Sequence, residues 1–455
     1  MSFFNNTLKI INDRLIGKNS DIEKKKLTIN NKRCYLYFCK TIVDIKIIYV
    51  IDKYFNEFTN CYLDESMILL NHTTEKDTFR IIDNILSGNS VFVSPDFEFA
   101  IIFDSALFPI RSISEPAIEK SVRGSKDSFN ENIINNIALI RKRIKSDNLI
   151  IESFVIGKIS KTNASLIYIK DIVDNSILLE LRDKLNSINV NSLIMTDKAL
   201  EELLVKQRYN PFPLVRYTER PDVACISLLN KKFVILVDNS CSALITPSNL
   251  FDHTKHIEEF RLNPILGTFS RLVRFLCLIL SFFLIPTWFC LLSSTPFNNG
   301  LQKYMTINLS SFLLVQVLIV EFLFDVIRMS AIHIPNVLVS TIGLISAIIL
   351  SEVSIRQGFL YEEVLLLCAI EGLCGFVTPS FELSLTNKFI KYIFIIIVFL
   401  FGKYGYIIFI SCLFLLLANI KVFNKSSYER ALNENYERLR KIKRSTNLKE
   451  LKKSL

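Results

Sequence analysis

Three ionisable side chains, Glu321, Asp325 and Arg328, stand inside one hydrophobic run at 308–332. Spaced four and three residues apart, they fall within about 60° of arc on a helix. A charge at bilayer depth costs roughly 2.5–3.5 kcal/mol even on lenient insertion scales, so such residues persist where they face a protein interior, a water-filled path or each other. Two readings follow. The stripe forms a polar wall that serves permeation or gating, or lies along the interface; otherwise an Asp325–Arg328 or Glu321–Arg328 ion pair only locks helices together. Glu371 is the second candidate, in Leu365-Leu-Leu-Cys-Ala-Ile-Glu371-Gly-Leu-Cys-Gly375, where small residues let helices approach closely. A carboxylate there can bind a cation in a ring of subunits or hydrogen-bond a neighbouring helix. Glu352, Glu362 and Glu363 fall near expected span ends and read as interfacial.

These residues must be held by apolar helices, and the chain changes character to supply them. Up to Arg261-Leu-Asn-Pro264 it is polar and charged; from 272 to about 420 hydrophobic runs dominate. Half of the 455 residues are hydrophobic and the mean hydropathy is +0.34, a balance that argues against a wholly soluble enzyme. Runs at 272–292 (interrupted by Pro286), 337–350 and 359–376 are expected spans. The run at 389–420 is too long for one straight helix and breaks at Gly402-Lys403-Tyr404-Gly405, giving two short helices or one kinked one. Four to six spans are expected.

The rest reads as α/β. A flexible segment is expected over 1–30, a first α/β subdomain over 31–135 and a second over 136–262. A membrane domain over 263–420 and a basic tail over 421–455 follow. In the first subdomain 33–39 reads as a strand, 66–86 as a helix and 91–103 as a hairpin turning at Ser94-Pro95-Asp96. In the second, 166–169 and 192–195 read as strands, and 176–185 and 198–206 as helices. A hairpin of 223–228 and 233–237 completes it. The fold class is therefore an α/β N-terminal region of two subdomains followed by an α-helical multi-span membrane domain.

Charge and cysteine usage narrow the setting. The tail from Lys421 to Leu455 carries eleven Lys/Arg against four Glu, which places it on the cytoplasmic side beside anionic membrane lipids. Nucleic acid does not suit a tail tethered at a membrane. The N-terminus lacks the basic and apolar regions of a secretory signal, so the polar half is expected in the cytosol. Ten cysteines without a C-x-x-C pair read as reduced thiols.

Motifs for nucleotide, dinucleotide, zinc-protease and serine-hydrolase chemistry are absent, so no enzyme activity and no cofactor are expected. His253 and His256 beside Asp252, Glu258 and Glu259 read as a solvated helix before the membrane rather than a metal site. Arg123, Asp127, Glu131, Arg141 and Arg143 form either ion pairs that couple the two subdomains or ordinary i,i+4 pairs on a solvated helix. Arg220-Pro221 reads as a structural start to the second hairpin.

Several strings carry a resemblance. Arg123-Gly-Ser-Lys-Asp-Ser-Phe129-Asn-Glu131 is followed by Asn136 and by Leu139-Ile-Arg141-Lys-Arg143-Ile-Lys145. Further on come Arg216-Tyr-Thr-Glu-Arg220-Pro221-Asp222-Val223, Val237-Asp238-Asn-Ser240 and Thr246-Pro247. Together they resemble the signature of the GerA family of spore germination proteins, A-subunit type, with Ser125 in place of the usual proline. His253-Thr-Lys-His256-Ile-Glu-Glu259, Asn263-Pro264, Arg328-Met-Ser-Ala-Ile-His333-Ile-Pro335 and Thr378-Pro379-Ser-Phe-Glu382 resemble one sporulation branch of it. The resemblance covers roughly 90–420. It implies a multi-pass protein of the spore inner membrane with its N-terminal half on the core side. It also implies partner germination membrane subunits and a homo-oligomeric, pentameric class of ligand-gated ion channels, with a link to dipicolinic acid release. A non-conducting scaffold that organises such partners is the competing reading.

Overall fold

The computed structural model describes residues 3–29, 32–57, 71–108, 124–205, 210–260, 262–293, 310–333, 355, 358–422 and 425–426. The chain divides into two compact units, Met1–Arg208 with Leu214–Ser248, and Tyr209–Pro213 with Asn249–Leu455.

The first unit contains two five-stranded sheets of the same design. In the first, α1 (Phe3–Arg14), β1 (Ile22–Ile29), β2 (Lys32–Cys39), α2 (Ile45–Glu57), β3 (His72–Glu75), α3 (Thr78–Leu86), β4 (Ser90–Val93) and β5 (Ala100–Phe103) follow in order. The second runs α4 (Ile133–Arg143), β6 (Leu149–Ile156), β7 (Thr162–Ile169), α5 (Asn175–Ser187), α6 (Thr196–Leu204), β8 (Arg216–Thr218), α7 (Pro221–Leu229), β9 (Phe233–Val237) and β10 (Ala243–Thr246). The strand orders, β1-β2-β4-β5-β3 and β6-β7-β9-β10-β8, are the same order repeated, and every pairing is antiparallel. The duplication leaves a trace in sequence. Ile42-Val-Asp44 and Ile172-Val-Asp174 each lie just past the second strand, and each Asp accepts from the backbone N–H two residues on, at 2.9 and 3.0 Å. That Asx turn starts α2 and α5.

Side-chain alternation splits the first sheet between two cores. Cys34, Leu36 and Phe38 of β2 pack with Ile51 and Phe55 of α2. Tyr37 packs on the opposite face with Ile11 of α1 and Ile81 and Ile85 of α3. The period of two is what lets one strand feed both layers.

Four expectations change here. The 1–30 segment is a helix and an edge strand, because Ile22, Leu27 and Ile29 are buried while the lysines between them keep the edge in water. The run at 223–228 is helical, with Pro221 and Asp222 opening α7, where a proline without a free N–H and an acidic side chain both suit the first turn. The strand expected at 192–195 is a turn leading into α6; Leu193 N–H bonds to Ser160 Oγ at 3.1 Å instead of to a neighbouring strand. The helix expected at 66–86 occupies only Thr78–Leu86 and follows β3; 58–70 lie outside the described residues. The hairpin expected at 91–103 is present as β4–β5.

In the second unit, two short 3-10 turns (Leu250–Thr254 and Ile257–Phe260) precede α8 (Pro264–Ser293), α9 (Ser311–His333), α10 (Glu362–Phe376) and α11 (Phe381–Asn419). Among the described residues, Ile265–Ser293 and Phe381–Asn419 are long and apolar enough to cross a membrane. The 15 residues of α10 extend about 22 Å, short of a hydrocarbon core of about 30 Å. The span expected at 337–350 lies outside the described residues.

Gly402 divides α11, with φ 55° and ψ −137°, a conformation that only glycine adopts readily. In a straight helix Phe394 and Phe409 would stand about 22 Å apart along the axis. Instead their rings stack with centroids 4.4 Å apart, and Phe394 also meets Tyr406 at 5.2 Å. The chain therefore folds back, and of the two readings of this run, two short helices is the one realised. Gly405 permits the return, since a Cβ there would lie 2.6 Å from the Ile397 carbonyl oxygen. Tyr406 Oη and Thr287 Oγ1 of α8 are 3.0 Å apart, which ties the second arm to α8.

Candidate functional site

The charged stripe of α9 faces the first arm of α11. Glu321 Oε2 accepts from Lys391 Nζ at 2.7 Å, Asp325 pairs with Lys388, and Arg328 Nη1 donates to Ser384 Oγ at 2.8 Å. Rising numbers on one helix meet falling numbers on the other, so the two elements run antiparallel with three polar rungs a helical turn apart. Tyr392 Oη donates to Asp325 Oδ2 at 2.7 Å. The Arg328 guanidinium lies over the rings of Phe376 and Phe381, 5.4 and 5.0 Å from their centroids. Interhelical partners thus take the place of the local Asp325–Arg328 or Glu321–Arg328 pair.

Glu371 joins from α10, its Oε1 in ion contact with Lys391 Nζ. Glu321, Glu371 and Lys391 are only 1–2% exposed. The seam now holds three acids (Glu321, Asp325, Glu371) and three bases (Arg328, Lys388, Lys391). Such matching is what low dielectric demands, because a buried charge without its partner carries a desolvation penalty of several kcal/mol. A crevice opens beside it, lined by Ser281, Thr378, Ser384, Asn387, Glu371 and Lys391 among others. Glu371 Oε2 accepts no hydrogen bond among the described residues.

Sequence reasoning picked the acids of the seam and Arg328 but missed Ser384, Lys388 and Lys391. Their spacing of four and three mirrors 321, 325 and 328 and was the available signal. The expected start of the last apolar run at 389 cut Ser384 and Lys388 from the pattern and left Lys391 standing alone near its edge.

Around the start of α8 the expected solvated helix is replaced by buried polar groups. Asn249 and Asp252 cap each other's backbone N–H groups across the first 3-10 turn. His253 is 3% exposed, its Nδ1 3.4 Å from Ser380 Oγ, and Ser380 also caps α11. Glu259 pairs with Arg271 and Arg274 of α8. Short 3-10 turns bring these side chains inward, where a solvated α-helix would have pointed them to water. In the same unit the Pro211 carbonyl accepts from Thr386 Oγ1 at 2.6 Å and Phe212 enters the core.

The five residues proposed to couple the subdomains part company. Arg123 lies outside the described residues. Arg141 is fully buried and donates to Asp21, by Nε to Oδ2 at 3.1 Å and by Nη2 to Oδ1 at 3.2 Å, and to the carbonyls of Ser146 and Leu149. Asp21 belongs to the first sheet's subdomain and was not foreseen. Cys39 adds a thiol contact to Asp21 at 3.4 Å, and burial, then the Asp21 charge, pushes that thiol up to about 12. Arg143 pairs with Asp127, and its Nη2 donates to Ser125 Oγ at 3.0 Å. Glu131 meets neither arginine: its carboxylate is held below the usual range by its own backbone N–H and then by Cys241.

The sequence strings that carry the resemblance converge here. Arg220 Nη2 donates to the Ser125 carbonyl at 2.8 Å and pairs with Asp222; Phe129 N–H donates to the Glu219 carbonyl at 2.8 Å. Ile133 N–H donates to Asp238 Oδ1 at 3.2 Å, and Asn136 closes a two-way bond with the Asn130 backbone. The motifs build one hydrogen-bonded joint between the 124–132 loop, α4 and the second sheet.

Comparison with known proteins covers nearly the whole chain. The family described as Bacillus/Clostridium GerA spore germination protein matches residues 9–453. Stage V sporulation protein AF of Bacillus subtilis (strain 168) is 36% identical over 417 residues, 89% of this chain and 85% of the relative. Spore germination protein A1 of the same organism is 26% identical over 407 residues, 87% and 84% of the two chains. Among solved structures, the N-terminal domain of the A subunit of the Bacillus megaterium spore germinant receptor GerK3 is 25% identical. It covers 53% of this chain and 92% of that one, with a TM-score of 0.39.

Proposed function

Because the chain belongs to the GerA family of spore germination proteins, we propose that it acts in the spore inner membrane as an oligomeric ion channel, or channel-like subunit, that promotes ion release in germination. The observation that carries this reading is the polar seam: Glu321, Asp325, Glu371, Arg328, Lys388 and Lys391 gathered beside a polar crevice inside an apolar helical unit. A helix bundle that needed only packing would place apolar side chains there at lower desolvation cost. In this proposal the N-terminal unit and the basic tail face the spore core. Identical subunits, five to a ring, surround the path, and other germination membrane subunits complete the assembly. No enzymatic step belongs to it.

Spores carrying Asp325→Asn and Glu371→Gln test the proposal in the cell. Potassium release on germination is expected to slow by tenfold or more relative to wild type, and wild-type release from both variants contradicts it. One observation favours a second reading: every cation of the seam already has a partner, as a static lock would require. A scaffold that organises the partners of dipicolinic acid release would show mixed crosslinks to those partners in spore membranes and none between its own copies.

A further inference from the structure

One ammonium group is approached by carboxylates from two helices. Lys391 Nζ donates to Glu321 Oε2 at 2.7 Å and contacts Glu371 Oε1, with all three side chains shut away from solvent. The remaining oxygen of Glu371 accepts no hydrogen bond among the described residues, although the group is only 2% exposed. A buried polar atom without a partner is an unfilled coordination position. The small crevice beside Glu371 is lined by residues that carry oxygen donors, Ser281, Thr378, Ser384 and Asn387 among them. At Gly375, on the same wall, an added Cβ would meet nothing within 4 Å.

Carboxylate, hydroxyl and amide oxygens are the donor set that suits hard cations such as the alkali ions, which shed water in exchange for oxygens. An alkylammonium head carries the same charge as potassium at a similar size. We propose that Glu321 and Glu371 form a monovalent-cation site inside the helical unit, and that the Lys391 ammonium is its tethered occupant. The proposal deepens the conducting reading and rests on it for its purpose: the tethered cation closes the site at rest, and its withdrawal admits a free ion. Asp325 with Lys388, and Arg328 on Ser384, flank the site and stay paired, so exchange is confined to Lys391. The site itself is a statement about binding, which can be tested without any flux.

The purified full-length protein in detergent is melted in potassium, sodium and choline chloride at matched ionic strength. Wild type is expected to melt alike in all three. Lys391→Ala, which removes the occupant and keeps both carboxylates, is expected to gain roughly 3 °C in potassium over choline by mass action. Adding Glu371→Gln is expected to abolish that gain. A Lys391→Ala protein that melts equally in potassium and choline overturns the proposal. Should that variant fail to fold, wild type decides the matter through acetylation of Lys391 followed by mass spectrometry. Molar potassium is expected to speed that acetylation at least threefold over choline, and equal rates overturn the site. A protein that conducts yet shows no cation dependence refutes the site alone; one that shows it without conducting refutes only the channel.

Discussion

Arg141 and Lys391 meet one physical problem in two different solvents. Each is a buried cation that can be tolerated only because acids and carbonyls from another part of its unit surround it. Removing one partner should therefore cost more than removing both. Arg141→Met is expected to destabilise the N-terminal unit by about 3–5 kcal/mol, with the buried Asp21 left without its cation, and Asp21→Asn added to it should recover part of that loss. Urea unfolding of the full-length protein followed by circular dichroism measures both, and additive losses would contradict the pairing. Thiol chemistry gives a second check at this scale. Burial pushes both Cys39 and Cys225 up to about 12, so both should resist maleimide at pH 7.5 in the folded protein and react within minutes once it is unfolded. Legibility at this scale was uneven. Glu321, Asp325 and Glu371 stood out because a carboxylate in an apolar run is conspicuous. Asp21 and Lys391 did not, since periodicity reports which face a residue takes and not which helix it meets. Nor did spacing separate Glu131, turned to Cys241, from Arg141 and Arg143.

Among the elements, α11 makes the sharpest claim. Its fold-back at Gly402 rests on a conformation that a side chain disfavours and on a close approach at Gly405. Gly402→Val should lower stability by about 1–3 kcal/mol, while Leu400→Val, two residues away on an exposed face, should change little. Thermal melting in detergent compares the two. Phe394→Ala and Phe409→Ala should be coupled, the double variant losing less stability than the sum of the single losses by about 0.5–1.5 kcal/mol. A straight helix would hold the two rings about 22 Å apart, and their losses would add. The break itself was legible from Gly402-Lys403-Tyr404-Gly405. The run at 223–228 was not, because a short apolar stretch fits a buried strand as well as a buried helix, and only Pro221 and Asp222 argued for the helix. The N-terminal strand escaped because its lysines dominate composition, while the burial of Ile22, Leu27 and Ile29 depends on β2 lying alongside.

For the whole molecule, one α/β design used twice precedes a helical unit whose interior is polar along a single seam. The duplication was written in Ile42-Val-Asp44 and Ile172-Val-Asp174, too short a repeat to notice until the strand orders coincide. The family was legible because its motifs are the residues that tie loop 124–132, α4 and the second sheet into one joint. Conduction is the claim on which the rest of the proposal depends, and it belongs to the assembled protein rather than to any one helix. The most direct measurement is potassium flux from liposomes that contain the purified protein alone, with Asp325→Asn and Glu371→Gln beside wild type. Flux through wild type that falls at least tenfold in both variants is the predicted result. Flux as great through both variants as through wild type would contradict a cation path along the seam.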